Sequence, residues 1–359
     1  MTETRLYTGN TPTVTVAGSV RGELTRDLLR LEVEEGSEGL RTLLLRLHAL
    51  PPGSGKSTID PTYLDGAVVD FGSAVSVDFG PPGRSRQIFE GTVSAIELSL
   101  SDGDTPYVSV YAEDVLMALR MTRRSRSYEN SSDADVAVRI GRDHGLRTQV
   151  DAPGPSYPVI QQWNQSDLAF LRDRAALIQA EVWAQGSTLH FAARTGRSAG
   201  EVALVHGNEL LSAHIRADLA HQRSAVVVTG FDLDTKERIQ EEAGPVVLQR
   251  EVTGGRTGPQ VLVQALGERR SVRSREVPTT TEQARSWAEA EMLRRGRAFV
   301  SVEGTTAGTP ELQVGTLVRL ERAGAAFSGP GYYTTWVQHS FDPATGSRTR
   351  FRAERATVS

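Results

Sequence analysis

The chain contains no cysteine. That excludes disulfides, thiolate metal ligands and a cysteine nucleophile, and it suits a protein folded in a reducing cytoplasm. Aromatic residues are scarce, at 6%, which disfavours the aromatic platforms of a carbohydrate-binding adhesin module. No run approaches the ~18 apolar residues of a membrane-spanning helix, so no membrane insertion is expected. Met1 to Asn10 lacks a basic segment followed by an apolar run, so no signal peptide is expected. A basic excess is also missing: the formal net charge is −4, which argues against nucleic-acid binding. The seven histidines have no metal-ligand spacing. On one helix, His214 and His221 would lie ~10 Å apart, too far to share an ion. No catalytic residue, metal or cofactor is expected.

What is present is an ordinary soluble composition. The 359 residues are 38% hydrophobic and 23% charged, enough for two or three domains. Leu29, Leu31 and Val33 alternate with Arg30, Glu32 and Glu34, the period-two pattern of a strand with one wet face. Val75, Val77 and Phe79 repeat it, as do Ile96, Leu98 and Leu100, and then Val108 and Val110 beyond the Asp102-Gly103 turn. Closely spaced strands without intervening helices predict an antiparallel barrel or sandwich.

Near residue 112 the pattern changes. Ala112 to Leu119 reads as a short helix, followed by Arg120, Arg123, Arg124 and Arg126. Ser132 to Asp135 reads as an N-cap ahead of Val136 and Ile140, and Gln165 to Asp167 caps a second helix. Val182 to Ala192 reads as a hairpin. From about 201 strands return, with Val226 to Val228 a buried candidate. Thr279 and Glu282 suggest a capping box for a helix over 279–295. The expected layout is mainly β: a first barrel over 1–118, completed by about 201–240, an α+β insert over 119–200, and a second barrel over 241–359.

An internal echo supports that layout. Gly72, Val75 and Val77 lead to Phe89 and Gly91; Gly315, Val318 and Leu320 lead to Phe327 and Gly329. Duplication explains the echo, and so does coincidence between two glycine- and valine-rich stretches. Two enzyme-like motifs weigh little. Gly53 to Thr58 resembles a phosphate-binding loop, but Leu50 stands where the first glycine belongs and Pro61 opposes the required helix. Gly196-Arg197-Ser198-Ala199-Gly200 matches a nucleophile elbow, yet a strand is predicted to follow it. Arg348, Arg350 and Arg352 alternate with Thr349, Phe351 and Ala353. They give the last strand a basic face, either solvated or turned to a partner or pore.

The chain resembles the phage late control D family. The resemblance rests on Phe89 to Val93, Tyr111 to Asp114, Leu116 through the arginines to Tyr128, Ser132 to Asp135, His144 to Leu146, Gln165 to Leu171, Gly315 to Leu320, and Phe327 through His339 to Phe341. That family includes trimeric hubs of contractile phage tails and the hub part of VgrG-type spikes. Its members carry two tube-protein-like β-barrels separated by a small α+β domain. The resemblance implies a non-enzymatic homotrimer that adapts a six-fold inner tube protein to a three-fold spike protein, beside other baseplate proteins. It further implies synthesis in the cytoplasm and assembly into a tail-like particle. VgrG-type members continue into a neck and needle beyond the second barrel, so a separate spike is expected here. The alternative is a spike-associated effector or cell-wall hydrolase, which needs a clustered carboxylate or nucleophile constellation.

Overall fold

The computed structural model describes residues 11–50, 61–80, 85–152, 154–252, 254–273 and 276–359. The phosphate-loop-like Gly53 to Thr58 lies outside them. The fold is mainly β. A first unit holds β1 (Thr13–Val16), β2 (Ser19–Val20), α1 (Gly22–Arg26), β3 (Leu28–Gly36), β4 (Thr42–His48), β5 (Ala74–Phe79), β6 (Arg86–Ser99) and β7 (Tyr107–Glu113). Alternation drives it. In β4, Leu43, Leu45 and Leu47 are at most 2% exposed, while Thr42, Leu44 and Arg46 are half-buried. Each such leucine stabilises the fold by roughly 1.5–3 kcal/mol. The helix expected over 112–119 is corrected. Val108, Val110 and Ala112 continue the buried face of β7, and only α2 (Met117–Arg120) is helical.

The middle unit follows with β8 (Arg123–Ser132), α3 (Asp133–Asp143), β9 (Arg147–Asp151), β10 (Ser156–Ser166), α4 (Asp167–Ile178), β11 (Ala180–Gln185) and β12 (Thr188–Ala193). Helix α3 begins in a capping box: the Ser132 hydroxyl accepts from the Asp135 N–H, and the Asp135 carboxylate accepts from the Ser132 N–H. The Ser166 hydroxyl caps α4 through the Ala169 N–H.

The remaining elements are β13 (Glu201–Val205), β14 (Leu210–Ala217), β15 (Ala225–Asp232), β16 (Glu237–Ala243), β17 (Arg256–Thr257), α5 (Gly258–Leu266), β18 (Arg270–Arg273), α6 (Thr281–Arg297), β19 (Val300–Thr306), β20 (Leu317–Glu321), β21 (Gly329–Asp342), β22 (Gly346–Arg355) and β23 (Thr357–Val358). His214 is therefore on a strand and His221 in a loop, not on a shared helix. The cap of α6 is Thr280, which accepts from the Gln283 N–H, rather than Thr279 with Glu282.

Two expected boundaries change. Strands β13 and β14 do not complete the first unit, because they pair with β20 and β19 of the second. Strands β15, β16 and β18 form their own sheet. Helix α6 lays Ala284, Trp287, Ala288 and Met292 against Val226, Val228 and Ile239, within the same core as Tyr128, Leu171 and Phe191 of the middle unit. The Trp287 indole N–H donates to the Tyr157 hydroxyl at 3.3 Å. The middle unit is therefore built from two separated stretches of chain, and α6 belongs to it.

Thirteen strands form one sheet, and the pairings among described strands close no barrel. Instead they contain one pattern twice. The first unit runs β1–β5–β6–β7–β4–β3; the second runs β13–β20–β21–β22–β19–β14, with strands in the same order along the chain. One pairing differs: β1–β5 is antiparallel and β13–β20 parallel. The backbones agree in detail. The Gly72 N–H donates to the Val93 carbonyl and the Val93 N–H to the Ser73 carbonyl; Gly315, Thr334 and Thr316 repeat this. Val93 lies opposite Ala112 and Thr334 opposite Ala353, and each ladder then bulges at the next residue. The bulged Ser94 hydroxyl donates to the Tyr111 carbonyl, and the bulged Thr335 hydroxyl to that of Arg352. A bulge re-aims a strand and does not arise from alternation alone.

Candidate functional site: a buried junction between units

Strand β21 is long enough to serve two neighbours. Its first half pairs with β20, and Trp336 to Phe341 pair with β3 of the first unit. This ladder joins the two units edge to edge. Beside it lies a buried charge network carried by the segment after β12. The Arg197 guanidinium, 6% exposed, donates to Glu35 on β3 at 2.5 Å and to Glu181 on β11 at 3.2 Å. Its plane lies 4.7 Å over the Trp183 ring. Glu35 also accepts from Arg41 at 2.6 Å, and Glu181 from the Tyr333 hydroxyl of β21 at 2.9 Å. Arg194 pairs with Glu354 of β22 and lies over the Tyr333 ring at 4.2 Å. Three packing units thus meet at one cluster of opposite charges.

The electrostatics follow from burial. Burial alone would raise the Glu35 pKa, but the charges of Arg41 and Arg197 outweigh it and hold the carboxyl below its usual range. Burial and the Glu181 charge push the Tyr333 phenol upward. Burial, then Arg197, lowers the His190 pKa. The turn between β3 and β4 seals the junction. Arg172 of α4 donates to the Glu38 and Gly39 carbonyls at 2.8 and 2.9 Å. Gly39 has φ of +71°, and a Cβ there would collide with the Val182 carbonyl. The chemistry of this arrangement is cohesion: Arg41, Arg194 and Arg197 each have a carboxylate partner within the chain, and Arg172 is bonded to backbone carbonyls.

His339 sits in the joining ladder between Val33 and Thr349. Its Nδ1 is 2.9 Å from the Thr349 hydroxyl. Burial, then the Arg41 charge, lowers its pKa to about 4. The unfolded chain takes up this proton near pH 6.5. The stability from keeping His339 neutral is therefore complete above about 6.5 and lost as pH falls toward 4, on the order of 3 kcal/mol. Asp114, raised to about 6 by burial, works the other way: its contribution is present at low pH and lost as pH rises through 6. Urea unfolding across pH 4–6.5 separates the two. His339→Gln should lose less stability on acidification than the wild type, and equal slopes would contradict the assignment.

The residues singled out in the sequence fall into three places. Gly72 and Gly315 occupy matching positions, each bonded to the strand that follows its own. Phe89 is fully buried opposite Val77, and Gly91 lies opposite Val75. In the second unit Val318, the counterpart of Val75, lies opposite Tyr332. Gly91 therefore matches Tyr332 and not Gly329, which lies opposite Leu320. Phe327 is half-buried in the turn before β21 and not in a strand; its carbonyl accepts from the Tyr332 hydroxyl at 2.7 Å. The better signal was elsewhere. Tyr111-Ala112-Glu113 and Arg352-Ala353-Glu354 hold equivalent rungs, and each glutamate pairs with an arginine, Arg120 or Arg194.

On β22, Arg350 and Arg352 are exposed and Arg348 is half-buried. Arg352 pairs with Glu303 at 3.0 Å over the Trp336 ring. Ser198 is exposed in a loop after a 3-10 turn, and the chain continues into β13 rather than a helix. Ser198→Ala should change stability by no more than about 0.5 kcal/mol, as read by urea unfolding; a larger loss would mean that the hydroxyl has a structural role.

Comparison with known proteins places this architecture. A family model described as the Alg8 N-terminal domain matches residues 65–342. The chain belongs to that family. No curated protein sequence matches it. Among solved structures it is similar to the prophage MuSo2 43 kDa tail protein from Shewanella oneidensis, with 16% identity, a TM-score of 0.70, and 98% of this chain and 100% of that one covered. The tail protein from Neisseria meningitidis MC58 gives 11%, 0.66, 97% and 97%. An E. coli component of the type VI secretion system, described as structurally similar to T4 tail proteins gp27 and gp5, gives 13%, 0.56, 95% and 76%. The fold is that of phage tail proteins. No helix of the described residues is long and apolar enough to cross a membrane.

Proposed function

We propose that the chain is a structural hub subunit in the baseplate of a contractile, phage-tail-like injection system, of the late control D kind. In this reading it is a homotrimer. Its two tube-like units per subunit present six similar surfaces to the inner tube protein, and its other face is three-fold toward the spike. The outward arginines of β22, Arg348, Arg350 and Arg352, would face a partner or the central passage.

The observation that carries the reading is the β3–β21 joint. If the two units are equivalent, the same joint can form again between subunits. The counterpart of β3 is β14, and the counterpart of the far half of β21 is Ala95 to Ser99 of β6. Among the described residues the one strand paired with β14 is β19, beside a single bridge from Leu210 to His206, and Ala95 to Ser99 pair only with β7. Strand β14 is mostly exposed, with Leu211 at 41%. Edges of this kind invite strand addition. Carrying the register of His339 with Val33 across places Leu98 opposite Ile215 and Ser99 opposite His214 of the next copy.

This chain has no cysteine, so a double variant, Ser99→Cys with His214→Cys, reports this contact cleanly. Treatment with a short bifunctional thiol reagent should give covalent dimers and trimers and stop there, and native mass measurement should give three copies. A monomer within assembled particles, or a ladder continuing past three, would exclude the closed trimer.

A further inference from the structure

We propose that a cleft on the second unit binds an extended acidic segment of a partner protein. This site is separate from the subunit contact above and does not depend on the hub reading. The cleft, about 560 Å³, lies between the segment after β12, the outward face of β20, the start of β21 and the turn ending at Arg250.

Its charges are unevenly matched. Arg194, Arg197, Arg297 and Arg319 each have a carboxylate partner within the chain. Arg355 and Arg250 have none among the described residues. Arg355 is 7% exposed, and its guanidinium bonds only to neutral groups: the carbonyls of Thr357 at 2.8 Å, Ala326 at 3.0 Å and Ser328 at 3.4 Å. Its plane lies 4.3 Å over the Tyr332 ring. A desolvated cation without a counter-charge is unfavourable, and a carboxylate arriving in the cleft would offset that cost with a charge-assisted hydrogen bond. Arg250 is exposed and so available to a second acidic group without rearrangement.

The lining is not purely polar. Leu317 is 40% exposed on the outward face of β20, beside Arg319 and across from Glu201. A cleft that holds both unpaired cationic groups and an exposed leucine fits a peptide carrying acidic and apolar side chains, rather than a small anion.

The test uses the full chain and a fluorescein-labelled, end-blocked peptide of alternating glutamate and leucine, followed by anisotropy. Saturable binding is expected, weakened about 10-fold or more by Arg250→Glu, the scale of one lost charge-assisted hydrogen bond. Arg238→Glu makes the same charge change on β16, outside the cleft, and should leave binding unchanged. Absence of saturable binding, or equal weakening by both variants, would overturn the site. Complete competition by inorganic phosphate would make it a small-anion site instead. A change in copy number with Arg250→Glu, read by native mass measurement, would mean that another copy of this chain occupies the cleft.

Discussion

Replacing Arg197 with methionine should lower the free energy of unfolding by about 3 kcal/mol. Removing one partner of a buried ion pair strands the other charge, at a cost of roughly 3–5 kcal/mol. Here two carboxylates lose a partner, but neither becomes isolated: Glu35 keeps Arg41, and Glu181 keeps the Tyr333 hydroxyl. That places the effect at the lower end of the range. The stacking on Trp183 disappears as well, although methionine replaces part of the packing. The triple variant Arg197→Met, Glu35→Gln and Glu181→Gln should recover much of the loss, because neutral groups carry a smaller burial penalty. Urea unfolding of the single and triple variants decides it. A loss below about 1 kcal/mol in the single variant would mean that the cluster behaves as a solvated surface pair and does not hold the units together.

Phe89→Ala should cost about 3–5 kcal/mol, the usual range for emptying a fully buried phenylalanine site. The side chain is 0% exposed, within the core formed by Val75, Val77, Val93 and Val110. Phe327→Ala should cost clearly less, because that ring is half-buried in a turn and packs at the margin of the second core. Denaturant midpoints of the two variants compare them directly. Equal losses would contradict the register derived from the ladders and restore the equivalence of the two phenylalanines expected from the sequence.

Local chemistry was readable where one side chain or one strand face decides the outcome. Ser132 with Asp135 and Ser166 ahead of α4 are caps because a short hydroxyl or carboxylate satisfies N–H groups that the helix cannot. The alternation of β3 and β4 was legible for the same reason: burial of one face is a property of neighbouring residues. Local likeness also misleads. Phe231-Asp232 with Thr235, and Phe341-Asp342 with Thr345, form the same turn. In each, the aspartate accepts from the backbone N–H groups two and three residues on. Yet these turns close hairpins in different sheets, so a repeated phrase can reflect a shared turn and no shared unit.

By itself, the sequence determined the strand-rich ends, the capped helices between them, and the presence of an echo around Gly72 and Gly315. Tertiary structure alone decided which strands pair. Period-two patterning says which face of a strand is buried but not which neighbour supplies the hydrogen bonds. Assigning Glu201 to Ala217 to the second unit, moving α6 into the middle core, and matching Gly91 with Tyr332 all needed the ladders. The charge cluster needed them too. Glu35, Glu181, Arg197 and Glu354 are scattered through the chain, and they become one site only because the β3–β21 joint brings the two units together beside β11. Coulomb attraction at these distances is strong in a buried setting, but nothing in the spacing of the residues announces it.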